Sequence, residues 1–458
     1  MELKGTRVYV ENLGCAKNQV DAEVMLHALV KAGCVAVETA DGADVVLVNT
    51  CGFIEPARKE SIDTFFALRE QYPAAKVVLT GCLSQRYGKE LDQELVEADG
   101  IFGNRDLRQI VPFVRRLLQS GRPVEFPTYP LITDEDDTRG TLFNYPGSAY
   151  LKISEGCDHR CRYCAIPLIR GGLRSRPAEA ILAEATRLVS SGVKELNLIA
   201  QDLAAYGTDL GDHSSRFLEL LVSLAALEGD FRIRMLYIHP DAFPHDLARI
   251  VAANPKIIPY FDIPFQHASP QVLKPMGRVG DKESYLQLIA SIRKELPEAT
   301  FRSTIMLGFT GEDESTFAEL KDFLTKAQLD WVGTFIYSRE EDTPAYKDRT
   351  AAEHRKVAKQ AARWQKELEA LQEPIAKARL ARFIGKELDV LIEELVEGED
   401  LAIGRTIHQA PEVDGLTVVM GRNLVPGQIV LCGITRVNGI DLEAIPVASS
   451  KGREGLSR

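Results

Sequence analysis

The sequence predicts a multidomain α/β protein: a parallel α/β N-terminal domain, a partial (β/α)6 barrel, and a small all-β barrel at the C-terminal end. Three observations carry this. Short β-branched runs alternate with helical patterns over the first 120 residues. Six further strand–helix units follow between Ala149 and Ser338. After a charged helical stretch, five short strands with glycine-rich turns follow.

Taken in order, RVYVENLGC, ADVVLVNTC and KVVLTGC are nearly continuous apolar runs, as expected of parallel strands buried on both faces. NQVDAEVMLHALVKAG and EPARKESIDTFFALREQY lie between them with apolar residues at helical spacing. Together they make an N-terminal domain over 1–121. From 122 to 148 periodicity stops and proline, glycine and acid take over, which predicts a linker. AYLKIS, ELNLIA, RIRMLYI, YFDIPF, FRSTIML and WVGTFIY are the six strands of the second α/β domain, 149–374. A closed eight-stranded barrel needs two more repeats that the sequence does not contain, so this one is partial and TIM-like. The charged helix AAEHRKVAKQAARWQKELEALQEPIAK leads into LDVLIEE, LAIGRTI, LTVVMG, QIVLCGITRV and DLEAIPV, a β-barrel over 375–447. The tail 448–458 is expected to be disordered.

The chain has 458 residues, a net charge of -11, and ordinary apolar and charged fractions of 45% and 26%. The opening MELKGTRVYVENLG carries no apolar leader core, and no uncharged apolar run reaches about eighteen residues. A cytoplasmic location with no membrane span is therefore expected. In a large chain under reducing conditions, eight cysteines read as metal ligands before disulfides.

Three of them, Cys157, Cys161 and Cys164, stand in one short loop, EGCDHRCRYC, after the first strand of the second domain. A structural zinc site closes with four ligands, and His159 could supply the fourth. The other reading is a 4Fe-4S cluster, in which each thiolate binds one iron and three thiolates leave one iron open to a cofactor. Cys15, Cys51 and Cys82 each end a predicted parallel strand. Strand ends of an open α/β sheet converge on one edge, so these three thiols can meet there and hold a second cluster. Cys34 and Cys432 have no such context and read as small buried hydrophobes.

CxxxCxxC after the first strand of a βα barrel resembles the radical S-adenosylmethionine (SAM) superfamily. The whole layout, a three-cysteine domain, a radical SAM domain and a terminal TRAM barrel, resembles the methylthiotransferases. GCAKNQVDAE, YLKISEGCDHRC, DIPFQHASPQVLKPMGR, YSREEDTPAY and APEVDG look most like the RimO family, which modifies an aspartate of protein twelve of the small ribosomal subunit. The tRNA-modifying MiaB relatives more often have Gln-Met where this chain has Ala16 and Lys17. Thr310 replaces the usual proline of GFPGE, and AQDLAAYG keeps Gln201 and Asp202 of its motif.

The resemblance implies two 4Fe-4S clusters, on Cys157, Cys161 and Cys164 and on Cys15, Cys51 and Cys82, with SAM at the open iron of the first. It implies a SAM site lined by Tyr163, Gln201, Gln266, Arg302, Met306, Gly308 and Phe309, with no catalytic side chain beyond the cluster ligands. One SAM supplies a radical and another the methyl group, and an electron donor is required. Glu387 to Val447 holds three arginines against eleven acids, a net of -8. Such a barrel repels a phosphate backbone and suits a basic ribosomal protein, so nucleic acid is not expected as the main substrate.

Overall fold

The computed structural model describes residues 3–119, 121–127 and 139–447. The predicted tail and residues 128–138 of the predicted linker lie outside these.

The N-terminal sheet has six parallel strands in the order Val35–Ala36, Arg7–Asn12, Val45–Thr50, Lys76–Thr80, Gly100–Gly103, Val124–Glu125. Its central strand Val45–Thr50 is buried throughout, because helices cover both faces. The second sheet is also wholly parallel and runs in chain order: Ser148–Lys152, Glu195–Ile199, Arg232–Met235, Ile257–Asp262, Thr300–Leu307, Trp331–Ile336. Its ends do not pair, so it is an open six-stranded barrel. The last five strands close into a barrel. No helix of the described residues is long and apolar enough to cross a membrane.

One domain edge differs from the sequence reading. Val124–Glu125 pairs with Gly100–Gly103, so the first sheet extends past residue 121 into the predicted linker. A two-residue edge strand is too short to show any period. The helix Ala351–Ala381 runs through Pro374, as the charged stretch to Lys377 predicts, and joins the second domain to the barrel.

Two cores line the central sheet. Its convex face packs against the surrounding helices, with Leu198, Phe261, Phe301 and Phe317 fully or almost fully buried. Its concave face joins all three parts of the chain: Tyr150, Ile199, Tyr260 and Trp331 meet Leu380, Val390 and Ala410 of the C-terminal region and Ala16, Val20 and Val24 of the helix Ala16–Lys31. Polar contacts fix this packing. Arg234 and Arg405 both pair with buried Glu195, at 3.0 and 2.9 Å, and Arg405 also pairs with Glu393. The mutual pairing offsets the cost of burying these charges.

The APEVDG stretch sits inside that interface. Asp414 accepts hydrogen bonds from the Tyr260 hydroxyl at 2.6 Å, the Ala410 amide at 2.7 Å and the Arg302 guanidinium at 2.6 Å. Glu393, Arg405 and Asp414 are thus spent on docking. The exposed acids of the barrel are mainly Glu387, Asp389, Glu394, Glu397, Glu399, Asp400 and Glu412, so its free surface stays acidic.

Candidate active site

The first triad forms where three strands end. Each cysteine adjoins a glycine: Gly14-Cys15, Cys51-Gly52, Gly81-Cys82. Gly14 has φ +99°, and a Cβ there would stand 3.0 Å from the Cys51 Cβ. One at Gly52 would stand 2.7 Å from the Leu83 backbone. The loops touch at a distance only glycine permits. Asn18 ties them together: its Nδ2 donates to the carbonyls of Leu13, Asn49 and Thr50, at 2.6, 3.2 and 3.3 Å. Asn104, just past the strand Gly100–Gly103, donates to the Cys82 Sγ at 3.2 Å.

The second triad lies in the loop after Ser154–Glu155. Gly156 has φ +76°, and a Cβ there would fall 2.0 Å from the Gly172 carbonyl, so the loop is folded tightly on its own far end. The Cys157 amide donates to Gly171 O, the Cys164 amide to Cys161 O, and the Arg162 amide to Met276 O. His159 is not free to complete a zinc set, because its Nε2 lies 2.7 Å from the Asp202 carboxylate. His239 stacks on it at 4.1 Å and brings its Nε2 to 4.0 Å from the Cys161 Sγ. Burial pulls His239 down to about 2, so it is neutral.

The triads face each other across a buried ion network. Arg170, at the end of the short helix Ile166–Arg170, donates to the Cys82 Sγ at 3.3 Å. The same guanidinium pairs with Asp21 at 2.8 Å and with Glu155 at 2.9 Å. Lys152 pairs with the same two carboxylates, at 2.6 and 2.9 Å. The loop carrying one triad therefore touches a thiol of the other. Lys17 lies beside this network, with its ammonium 3.2 Å from the centre of the Tyr237 ring.

Burial pushes the Cys82 and Cys164 thiols up to about 12 and Cys157 to about 11, with the neighbouring thiols adding to each rise. Arg170 opposes the rise at Cys82. Thiols so raised bind metal only by losing their protons to it. Among the described residues, no three His, Cys, Asp or Glu side chains are compact enough to hold one metal ion. A four-iron cluster spaces its thiolates more widely, and two all-thiol triads with cationic and amide donors around them fit such clusters.

The residues expected around SAM divide. Gln201 donates to Glu155 at 3.2 Å, and its buried Oε1 has no partner. Gln266 is held at φ +68°, and its buried Oε1 is also unpartnered. Two unsatisfied acceptors, each just past the end of a strand of the same sheet, suit a ligand that brings donors. A non-glycine residue at positive φ is a strain that functional sites commonly carry. The Met306 amide donates to the Gln266 carbonyl at 2.8 Å, which joins these two. Tyr163 meets Phe309 edge-on at 6.0 Å, and Phe309 packs in turn on Tyr337. Gly308 turns toward the helix Ala351–Ala381, where a Cβ would stand 3.0 Å from Ala361. Arg302 departs from expectation. It is the third residue of an eight-residue strand, short of the strand's end, and its guanidinium is held by Asp414 and the Val413 carbonyl.

Family models match three parts of the chain: the uncharacterized protein family UPF0004 over 7–103, the radical SAM superfamily over 151–324, and the TRAM domain over 384–447. A Treponema denticola protein named ribosomal protein uS12 methylthiotransferase RimO is 41% identical, over 95% of this chain and 99% of its own. A protein of the same name from Syntrophomonas wolfei is 43% identical, over 89% and 92%. The chain belongs to the RimO family. Among solved structures it resembles the radical SAM methyltransferase TsrM of Kitasatospora setae, solved with cobalamin and a 4Fe-4S cluster, with a TM-score of 0.54 over 74% of each chain. At 13% identity that likeness speaks for the fold alone.

The sequence reading missed Asn18, Asn104, Arg170 and the Asp202–His159–His239 stack. One signal was available: Arg170 closes the apolar run AIPLIR, and an arginine there must find a buried anion.

Proposed function

We infer that this chain is a radical SAM methylthiotransferase that adds a methylthio group to the β-carbon of an aspartate in ribosomal protein uS12. The single observation carrying the reading is the hydrogen bond from Arg170 to the Cys82 Sγ, because it couples two cysteine triads of one chain across a domain boundary. A one-cluster radical enzyme needs no second triad.

A 4Fe-4S cluster with an open iron, given SAM and an electron, supplies a radical able to remove hydrogen from a C–H bond that no side-chain base attacks. In this reading Cys157, Cys161 and Cys164 hold that cluster, and Cys15, Cys51 and Cys82 hold a second one for the sulfur. Gln201, Gln266 and Met306 flank the SAM pocket, and Tyr163 and Phe309 form its aromatic wall. Arg170 and Lys152 balance the charge of Asp21 and Glu155 between the clusters. The exposed acids of the barrel attract the basic ribosomal protein. The reading places the enzyme in the cytoplasm, where its ribosomal substrate and an electron donor are found. It divides the chain into a three-cysteine domain, a radical SAM domain and a TRAM barrel.

The test is anaerobic reconstitution with iron and sulfide, followed by SAM, reductant and either uS12 or tRNA. A methylthio mass gain on uS12 is the expected result, and modification of tRNA alone refutes the reading. Alanine at Cys157, Cys161 and Cys164 should abolish SAM cleavage. Alanine at Cys15, Cys51 and Cys82 should spare cleavage and stop thiolation.

A further inference from the structure

Among the described residues, the charged side chains between the triads are paired, with one exception. Arg170 and Lys152 share Asp21 and Glu155. His159 is held by Asp202. Asp262 accepts from the Tyr237 amide at 3.1 Å and lies 3.9 Å from Arg302. Lys17 is only 8% exposed, yet among the described residues no carboxylate or carbonyl stands within bonding distance of its ammonium. The ammonium sits instead on the face of Tyr237, 3.2 Å from the ring centre.

An aromatic face attracts a cation but offers no lone pair to the ammonium's three donors. A buried ammonium without an acceptor is costly, and such a group marks a place where an anion is received. The position lies near the surface: Cys15, two residues earlier, is exposed, and Tyr237 is only partly buried. Tyr237 is itself held at φ +70°, a strained conformation that aims its ring under the lysine. Lys17 also follows Cys15 on the helix Ala16–Lys31, while Tyr237 follows the strand Arg232–Met235 of the central barrel. The pair thus bridges the two domains that carry the triads.

We propose that the Lys17 ammonium, seated on the Tyr237 ring, receives the side-chain carboxylate of the substrate aspartate and so presents its β-carbon between the two triads. The inference rests on the functional reading above. In aspartate the carboxyl carbon is bonded directly to the β-carbon, so anchoring the carboxylate fixes the reacting carbon one bond away. An ammonium only donates, so it prefers a carboxylate to the amide of asparagine. Lys17 acts here as a binding and specificity residue and takes no proton from the substrate.

The test uses the full-length chain, anaerobically reconstituted, and two fluorescent peptides of uS12 that span the target aspartate, one with the aspartate and one with asparagine in its place. Affinities are read by anisotropy for the wild type, Lys17→Met and Lys17→Arg, with iron content measured on each. The wild type should prefer the aspartate peptide by about tenfold or more, the range of a charge-assisted hydrogen bond. Lys17→Met should bind both alike, and Lys17→Arg should keep the preference. If Lys17→Met takes up no iron, Lys17→Gln, which keeps polar reach without charge, decides in its place. A preference that survives loss of the charge overturns the proposal, as does a wild type that does not distinguish the peptides. Loss of iron with an unchanged preference also overturns it and assigns the ammonium to balancing the Cys15 thiolate. A wild type that modifies neither peptide fails the functional reading itself, whereas modification with an unshifted preference fails this inference alone.

Discussion

Replacing Arg170 by methionine should destabilise the junction between the first two domains by about 3 kcal/mol. The guanidinium is 3% exposed and uses both terminal nitrogens: Nη1 meets Glu155 at 2.9 Å, and Nη2 meets Asp21 at 2.8 Å and the Cys82 Sγ at 3.3 Å. Removing one member of a buried ion pair costs about 3–5 kcal/mol, mostly because the partner's charge is left behind in a low dielectric. Here Lys152 still faces both carboxylates, which favours the lower end of that range. A loss of about 3 kcal/mol is large against the roughly 5–15 kcal/mol that stabilises a domain. The measurement is urea unfolding of the iron-free protein followed by the fluorescence of its two tryptophans, Trp331 and Trp364. Arg170→Met with Asp21→Asn should recover part of the loss, since the second change removes one stranded charge. A loss below about 0.5 kcal/mol, the size of an ordinary surface change, would refute the reasoning. So would strict additivity of the two substitutions.

Further expectations follow from the loops and the barrel interface. Gly14→Ala puts a side chain at φ +99° and against the Cys51 Cβ at 3.0 Å, so it should lower iron bound at the first triad while sparing the second, read by iron content in a background lacking the other three cysteines. Gly156→Ala would place a Cβ 2.0 Å from the Gly172 carbonyl, and SAM cleavage should be lost even though all six cysteines remain. Burial alone would raise the Glu195 carboxyl, but Arg234 and Arg405 outweigh it and hold it down at about 2. Its contribution is therefore complete above the ordinary glutamate value of about 4.5 and fades as pH falls toward about 2, so proteolysis at the barrel junction should speed up over that window. Asp414→Asn keeps the shape of the loop but weakens the bonds from Arg302 and Tyr260, and should lower the urea midpoint of the same junction.

The two triads were legible in the sequence because each cysteine stands at a recognisable place, either at fixed spacing in one loop or just after a strand. The six barrel strands were legible because each is an apolar run of ordinary strand length. The residues around the thiols were not. Asn18 acts on carbonyls near residue 50, Arg170 on a thiol 88 positions away, and neither distance leaves a periodic trace. The strand Gly100–Gly103 is four residues with glycine at both ends, too weak a pattern to announce that Asn104 would reach Cys82. Arg302 shows the opposite error. Its strand was found, but the sequence does not tell how far along that strand the site begins, and the side chain serves the neighbouring barrel instead.

The APEVDG loop is a peg, and Tyr260 with Arg302 is its hole. The C-terminal barrel is therefore not an appendage that could be exchanged like a handle. Grafting a relative's barrel onto this chain would succeed only if the relative's loop met the same two partners, so peg and hole should travel together in any working chimera. Cutting the barrel away would also uncover the concave wall of the central sheet, including the aromatic residues Tyr150, Tyr260 and Trp331 that now face it. A truncated enzyme would report the loss of a floor as much as the loss of a grip on its substrate.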